Sequence, residues 1–161
     1  MTRSLRCAVW LAAGFLFSAL GPIGADSANV TMPPSVSFTV TNVNSPSTGN
    51  PDPTSASYTD AVLTSGYSLR MSIQANAANF TRPAPAGGYI QASDVTWSTS
   101  GASGGTGYPG TMSAAGYERV YQSNPDATSG SVNITWTLAA PGGQVRAGDH
   151  ILTATWKTES L

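Results

Sequence analysis

Residues 132–138 read VNITWTL, a stretch in which apolar and polar side chains alternate at every step. Val132, Ile134, Trp136 and Leu138 are expected on one face of a strand, with the Asn and Thr side chains on the other. Most of these residues are β-branched or aromatic, and such residues pack well on a pleated surface. The stretch therefore predicts a strand with one buried face and one face in water.

The same alternation recurs on both sides of this stretch. It is clearest over residues 36–40, 67–73 and 150–157, and shorter apolar runs occur at 58–63, 89–97 and 117–121. Segments rich in Gly, Pro and Asn separate the runs and predict loops at 44–57, 76–88, 101–110 and 124–130. A sustained helical period with caps is not found in any segment.

About seven short strands without intervening helices predict an all-β domain, and specifically an antiparallel immunoglobulin-like β-sandwich. A closed antiparallel barrel fits the same pattern and stays open as an alternative. Apolar residues of the alternating runs, three tryptophans among them, are expected to form the core: Phe38, Leu69, Ile73, Trp97, Ile134, Trp136, Leu152 and Trp156.

The amino terminus has the layout of a secretory signal peptide. Two arginines precede an apolar run over residues 7–20, and the following GPIGA supplies a helix breaker and small residues suited to cleavage. We expect cleavage after Ala25, give or take about three residues, with an uncleaved anchor helix as the alternative. The chain then consists of a signal peptide at 1–25 and a β-sandwich domain at 26–161. Export places that domain outside the cell, on the cell surface or in the periplasm.

The only cysteine, Cys7, would leave with the signal peptide, so no disulfide is expected in the mature domain. Two of the seven basic residues would leave as well, whereas all eight acidic residues stay, which gives a mature formal charge of −3. Such a domain offers nucleic acid no basic surface. No later apolar run is long enough to span a membrane. Neither nucleic acid nor a membrane span is therefore expected.

Catalytic groups are scarce in this sequence. The sole histidine, His150, follows Asp149, but adjacent residues of a strand face opposite sides, so the aspartate would not orient the imidazole. One histidine without cysteine supplies too few ligands for zinc. The aspartates near the loops lack the spacing of a calcium loop. We therefore expect no enzyme activity, no cofactor and no metal site.

The glycine-rich stretch 101–110, GASGGTGYPG, lacks the lysine and the following helix of a phosphate-binding loop. It predicts a long flexible loop that presents Tyr108 beside a proline, and loops of this kind often carry binding residues. Tyr108 and Tyr89 are the candidate ligand-binding residues, because tyrosine rings offer flat apolar faces to sugars.

Two segments resemble known families. Residues 147–156, AGDHILTATW, resemble the last strand of immunoglobulin-like sandwiches in bacterial surface proteins. Residues 134–141, ITWTLAAP, are similar to the distal motif of WxL cell-wall-binding domains. This second likeness covers one strand, and both the missing upstream tyrosine and the early proline depart from the family pattern. Peptidoglycan binding is therefore not carried over to this chain.

The start of the mature domain resembles that of fimbrial subunits, which complete an open sandwich with an amino-terminal strand from a neighbour. Residues 26–40 include Val30 and Met32 at alternating positions, but Pro33 and Pro34 interrupt the alternation that a donated strand needs. The usual disulfide of that family is also missing. The other interpretation is an ordinary first strand with a loose leader.

These observations favour a secreted or surface β-sandwich with a structural, adhesive or assembly role and no catalytic activity. Its expected partners are other surface subunits, joined through strand edges or exposed apolar faces. The alternative is an extracellular carbohydrate-binding module that binds glycans through Tyr89 and Tyr108. The sequence leaves the oligomeric state open.

Overall fold

The computed structural model describes residues 5–13, 26–84 and 87–161, and it is all-β. These residues form twelve strands, and the one helical element among them is a 3₁₀ turn at Ala92–Asp94. The strands are β1 (Leu5–Ala13), β2 (Ser27–Thr31), β3 (Ser35–Val40), β4 (Ser47–Asn50), β5 (Thr54–Val62), β6 (Leu69–Ala75), β7 (Val95–Ser103), β8 (Gly105–Gly107), β9 (Gly110–Thr111), β10 (Glu118–Ser123), β11 (Gly130–Leu138) and β12 (Asp149–Ser160). In the described part of the chain, no helix has both the length and the apolar character needed to cross a bilayer.

Hydrogen bonding arranges the strands in two sheets. The first sheet has the order β8-β10-β6-β12-β1-β3-β4, and the second has the order β2-β5-β11-β7-β9. Strand β4 links the sheets, because it pairs with β3 in one and with β11 in the other. The pairing of β1 with β12 is parallel, and the other pairings are antiparallel. The prediction of an all-β fold with antiparallel sheets is confirmed, and the layers are those of a β-sandwich.

The stretch 132–138 forms most of β11, at the centre of the second sheet. Its alternating apolar residues are buried, and Trp136 packs against Trp97 of β7 with ring centroids 5.6 Å apart. Each indole N–H is satisfied inside the domain: Trp136 donates to the Thr54 hydroxyl at 2.7 Å, and Trp97 donates to the Tyr108 carbonyl at 2.8 Å. All eight residues expected in the core are buried in the structure.

Two segments that the sequence predicts to be loops contain strands. The segment 44–57 includes β4 and the start of β5, and the segment 101–110 includes β8 and the start of β9. A Cβ atom at Gly110 would lie 2.4 Å from Cζ2 of Trp97. This glycine is therefore required by the close approach of β9 to an indole ring and does not mark a flexible loop. Such short strands raise the strand number above the predicted seven.

A second aromatic contact lies between β5 and β10. The ring centroids of Tyr58 and Tyr121 are 6.1 Å apart, and the Tyr121 hydroxyl donates to the Ser103 carbonyl at 2.7 Å. Burial, and then the neighbouring Tyr58, raise the pKa of Tyr121 well above its ordinary value. A Cβ atom at Gly130 would lie 2.2 Å from the Tyr121 hydroxyl oxygen and 2.7 Å from Cε1 of Tyr58. The pair therefore fits only a residue without a side chain at this position.

We expect Gly130→Ala to lower the free energy of unfolding by about 1–3 kcal/mol, as overpacked core substitutions do. The added methyl group has to displace two buried tyrosine rings. Chemical denaturation followed by tryptophan fluorescence measures the change. Gly116→Ala is the matched control, because a Cβ atom at Gly116 meets nothing within 4 Å. Equal stability of the two variants would contradict the packing described above.

Candidate functional site

Strand β1 lies between β3 and β12 in the first sheet. It runs parallel to β12 from the pair Arg6↔Asp149 to the pair Ala13↔Trp156. On its other side it runs antiparallel to β3, from Leu5↔Val40 to Trp10↔Ser35. The space between β3 and β12 that β1 occupies is called the strand slot below.

The occupant of the strand slot comes from the segment that the sequence predicts to be a signal peptide. Residues 5–13 fall within the predicted signal peptide, 1–25, while the predicted cut after Ala25 lies outside the described residues. Removal of this segment would leave β3 paired with β4 alone and β12 paired with β6 alone. Unpaired backbone groups and an uncovered core are both costly, so the slot would need another strand.

The walls of the strand slot are mostly apolar. Strand alternation turns seven side chains of β3 and β12 toward the core, and all of them are buried: Val36, Phe38, Val40, His150, Leu152, Ala154 and Trp156. The side chains between them on these strands are exposed or half-buried. A strand that fills the slot therefore needs apolar side chains at every second position.

Two buried polar atoms of β12 have no hydrogen-bond partner among the described residues: Nδ1 of His150 and Nε1 of Trp156. The other imidazole nitrogen of His150, Nε2, lies 3.0 Å from the Arg146 carbonyl oxygen. A carbonyl oxygen only accepts, so Nε2 is the donor in this contact. A buried polar atom without a partner is destabilising. The inner face of β12 is thus less well satisfied than the rest of the core.

The structure places His150 and Asp149 as strand alternation requires, with the imidazole buried and the carboxylate side chain exposed. The two groups therefore do not form an acid–base pair. Within residues 5–13, 26–84 and 87–161, no group of three or more metal-ligating side chains is found. The histidine instead lies on the wall of the strand slot, a role that sequence reasoning missed. Its only sequence signal was its inward position in an alternating run.

The two tyrosines proposed to bind a ligand are in different surroundings. Tyr89 is 54% exposed, with the Arg82 guanidinium 3.8 Å from its ring centroid and donating to its hydroxyl at 2.7 Å. Tyr108 is half-buried, and the Arg119 guanidinium lies 3.5 Å from its ring centroid. Each ring therefore has one face covered by a guanidinium. Tyr108 also lies between two strands, β8 and β9, and not in the long flexible loop that was predicted.

A shallow surface depression of about 470 Å³ lies beside the 3₁₀ turn. Its lining consists of small or neutral side chains, including Asn79, Gln91, Met112 and Ser113. None of the lining residues is ionisable. The hydroxyl groups of Ser93 and Ser113 therefore have no ionisable neighbour within this lining that could activate them.

No protein-family model matches the chain, and no curated protein matches its sequence at a significant level.

Asp26, the first residue after the predicted cut, holds the start of β2 in place. Its carboxylate accepts hydrogen bonds from the Thr64 backbone N–H at 2.7 Å and from the Thr64 hydroxyl at 3.0 Å. It also accepts one from the Ser160 hydroxyl at the end of β12. The Ser160 bond, followed by those from Thr64, lowers the pKa of Asp26 below 3.8, although desolvation opposes the shift.

We expect the contribution of Asp26 to the free energy of unfolding to be lost at acid pH. Because its pKa is lowered by folding, the stabilisation is fully present above about pH 4 and is lost as the pH falls through the folded-state pKa. Asp26→Asn should therefore reduce the free energy of unfolding at pH 7, by a small amount for a surface group. The difference from the native chain should shrink toward pH 2.

Urea denaturation over a series of pH values measures this difference. Asp52→Asn is the control, because it removes the same charge at an exposed position, and it should change the free energy of unfolding at pH 7 less than Asp26→Asn does. A difference between the Asp26 variant and the native chain that is constant from pH 7 to pH 2 would contradict the assignment.

Proposed function

We propose that the mature domain is a secreted or surface subunit with an immunoglobulin-like sandwich and a structural, assembly role. Its strand slot accepts a strand from another polypeptide once the signal peptide has been removed. The observation that supports this proposal is the position of β1, which is part of the predicted signal peptide and fills the space between β3 and β12.

The backbone of the slot is suited to strand addition. Seen from the slot, β12 offers eight residues, Asp149 to Trp156, and β3 offers six, Ser35 to Val40. An added strand pairs with both walls at once, and these main-chain hydrogen bonds supply affinity. Alternate side chains of the added strand reach the core and supply specificity.

The composition of the mature domain makes completion of the sheet important for stability. Cys7, the only cysteine, lies in the predicted signal peptide, so the mature domain has no disulfide. Stability then depends on burial and on sheet hydrogen bonds. The slot is bordered by Phe38 and Trp156, two of the large side chains that would meet water if it stayed empty. Filling the slot buries them again.

The proposal predicts that the mature chain, residues 26–161, depends on a strand supplied from outside. Refolding with a synthetic peptide of residues 5–13 should give a folded one-to-one complex, measured by light scattering and by the denaturation midpoint. Without the peptide, the chain should form assemblies or fail to fold cooperatively, because both walls of the slot are unpaired.

The control peptide carries Val9→Asp and Leu11→Asp, which place charges at positions opposite Leu152 and Ala154 of β12. It should neither bind nor stabilise the chain, since an unpaired charge in a core is strongly unfavourable. A mature chain that is a stable monomer without any peptide, with the same denaturation midpoint in its presence, would rule out the proposed function.

Glycan binding is the second candidate function, and the exposed ring of Tyr89 is the observation that favours it. The guanidinium of Arg82 beside the ring offers N–H donors to sugar hydroxyls. A glycan array measures this binding, and we expect the Tyr89→Ala variant to lose any glycan that the native chain binds. Tyr117→Ala is the control at another exposed tyrosine, and it should bind the same glycan as the native chain. An array without binders, or binding that survives Tyr89→Ala, would remove this function.

A further inference from the structure

The segment between β6 and the 3₁₀ turn lies against the segment between β11 and β12. The backbone N–H of Gly88 donates to the Gln144 carbonyl at 2.9 Å. A Cβ atom at Gly148 would lie 2.8 Å from Cγ of Pro83, so the proline ring packs directly on this glycine. The two segments are therefore in contact at two points, and the surface that they form together is called the loop junction below.

Two arginines of the loop junction reach the same residue, Gly87. The guanidinium of Arg82 donates to the Gly87 carbonyl. A Cβ atom at Gly87 would lie 2.8 Å from Cγ of Arg146 and 3.4 Å from its Cδ, so the Arg146 side chain passes over this glycine. The Arg146 side chain is exposed and that of Arg82 is half-buried. The loop junction thus brings two positive charges to one place on the surface.

No carboxylate of the domain neutralises these two charges. All eight acidic residues of the chain lie in the part that the structure describes. Within that part, neither Arg82 nor Arg146 has a carboxylate oxygen within 4.0 Å, whereas Glu159 pairs with both Arg70 and Lys157. The two guanidinium groups of the loop junction can therefore bind a carboxylate that comes from outside the domain.

An exposed aromatic ring adjoins the two charges. Tyr89 is 54% exposed, and the Arg82 guanidinium lies 3.8 Å from its ring centroid and donates to its hydroxyl at 2.7 Å. A tyrosine ring offers a flat apolar face to a pyranose ring. A guanidinium matches the planar geometry of a carboxylate with two parallel N–H bonds. Tyr89 and its neighbouring arginines therefore suit both parts of an acidic sugar.

We propose that the loop junction binds a polysaccharide whose sugars carry carboxylate groups. A pyranose ring packs on Tyr89, and its carboxylate accepts hydrogen bonds from Arg82 and Arg146. This inference rests on the second candidate function, glycan binding, and deepens it by naming the class of glycan. The site is separate from the strand slot and needs no added strand.

The groups of the loop junction are oriented before a ligand binds. The Arg82 guanidinium is held by two acceptors, the Gly87 carbonyl and the Tyr89 hydroxyl. A guanidinium carries five N–H donors, so these two bonds leave others for a ligand. The backbone at Arg146 is held by His150, whose Nε2 donates to the Arg146 carbonyl at 3.0 Å. Groups that are already ordered cost less free energy to use in binding.

The negative charge of the mature domain does not prevent binding of an acidic polysaccharide. Charges in solution are screened over a Debye length of about 8 Å at physiological ionic strength. A carboxylate at the loop junction therefore interacts mainly with the groups next to it, and these are two arginines without a paired acid. The arrangement of charge at the site decides the class of ligand, and the net charge of the domain has less effect.

A matched pair of polymers tests the proposal. Polygalacturonate carries a carboxylate on each sugar, and its methyl ester keeps the same rings and hydroxyl groups without the charge. The full-length chain is produced, exported and purified, and isothermal titration calorimetry measures its affinity for each polymer. We expect polygalacturonate to bind at least about tenfold more tightly than the ester, because only the acid forms charge-assisted hydrogen bonds. Added salt should weaken this binding.

Substitution of single arginines locates the site. Arg146→Gln should weaken binding of polygalacturonate at least about tenfold, because it removes a charged donor. Its denaturation midpoint should equal that of the native chain, since the side chain is exposed. Arg119→Gln is the matched control, because Arg119 is exposed and lies 3.5 Å from the ring centroid of another tyrosine, Tyr108. It removes the same charge and should leave the affinity unchanged.

The outcomes separate the inference from the function on which it rests. If acid and ester bind equally well and Tyr89→Ala abolishes both, the site takes neutral sugars, so the inference is wrong and glycan binding stands. Equal weakening by Arg119→Gln and Arg146→Gln would mean attraction without a site and would also overturn the inference. A chain that binds neither polymer, nor any glycan on an array, would overturn both.

Polyphosphate distinguishes an acidic sugar from any other polyanion. It carries negative charge but no sugar ring, so Tyr89 gives it no apolar contact. We expect it to bind at least about tenfold more weakly than polygalacturonate, because stacking on the ring is lost. Polyphosphate that binds as tightly as polygalacturonate would overturn the assignment of a sugar ligand.

Discussion

The first sheet is continuous because one strand, β1, lies between β3 and β12 and pairs with both of them. These two strands carry Phe38 and Trp156 on their inner faces, and they contact the same intervening strand on opposite sides. Backbone N–H and C=O groups inside a sheet must be paired, because burying them unpaired is costly. Closure of the first sheet, and with it one side of the core, therefore requires an occupant of the strand slot.

The walls of the slot are held by separate parts of the fold. Strand β12 is fixed by β6, which in turn pairs with β10. Strand β3 is fixed by β4, which pairs with β11 in the second sheet, where Trp97 and Trp136 pack together. Each wall therefore has its own anchor that does not involve β1. Adding a strand to walls that are held in this way costs less ordering than adding it to free segments would.

Local alternation predicted the strands well, because a period of two is visible within a few residues. The stretch 132–138 and the runs at 36–40 and 150–157 all lie in strands with the expected buried faces. The short strand β9 escaped prediction, because it is defined by its pairing with β7, at Thr96↔Thr111 and Trp97↔Gly110, and not by a local alternation. The strand slot escaped as well. Residues 7–13 are apolar without alternation, so nothing local indicates that they pair between two distant strands, one of them parallel.

The outer edge of the second sheet bears on whether a strand could be added anywhere besides the slot. Strand β2 forms this edge and pairs with β5, whose Asp60 has a φ of 54°, a left-handed conformation that departs from extended strand geometry. The register of the pair shifts between Ser27 and Asn29, and the exposed carboxylate of Asp60 accepts a hydrogen bond from the Asn29 amide. Charge and irregular geometry both discourage edge-to-edge pairing. The ladders that β1 makes with β3 and β12 have no register shift, so the slot is the better template for an added strand.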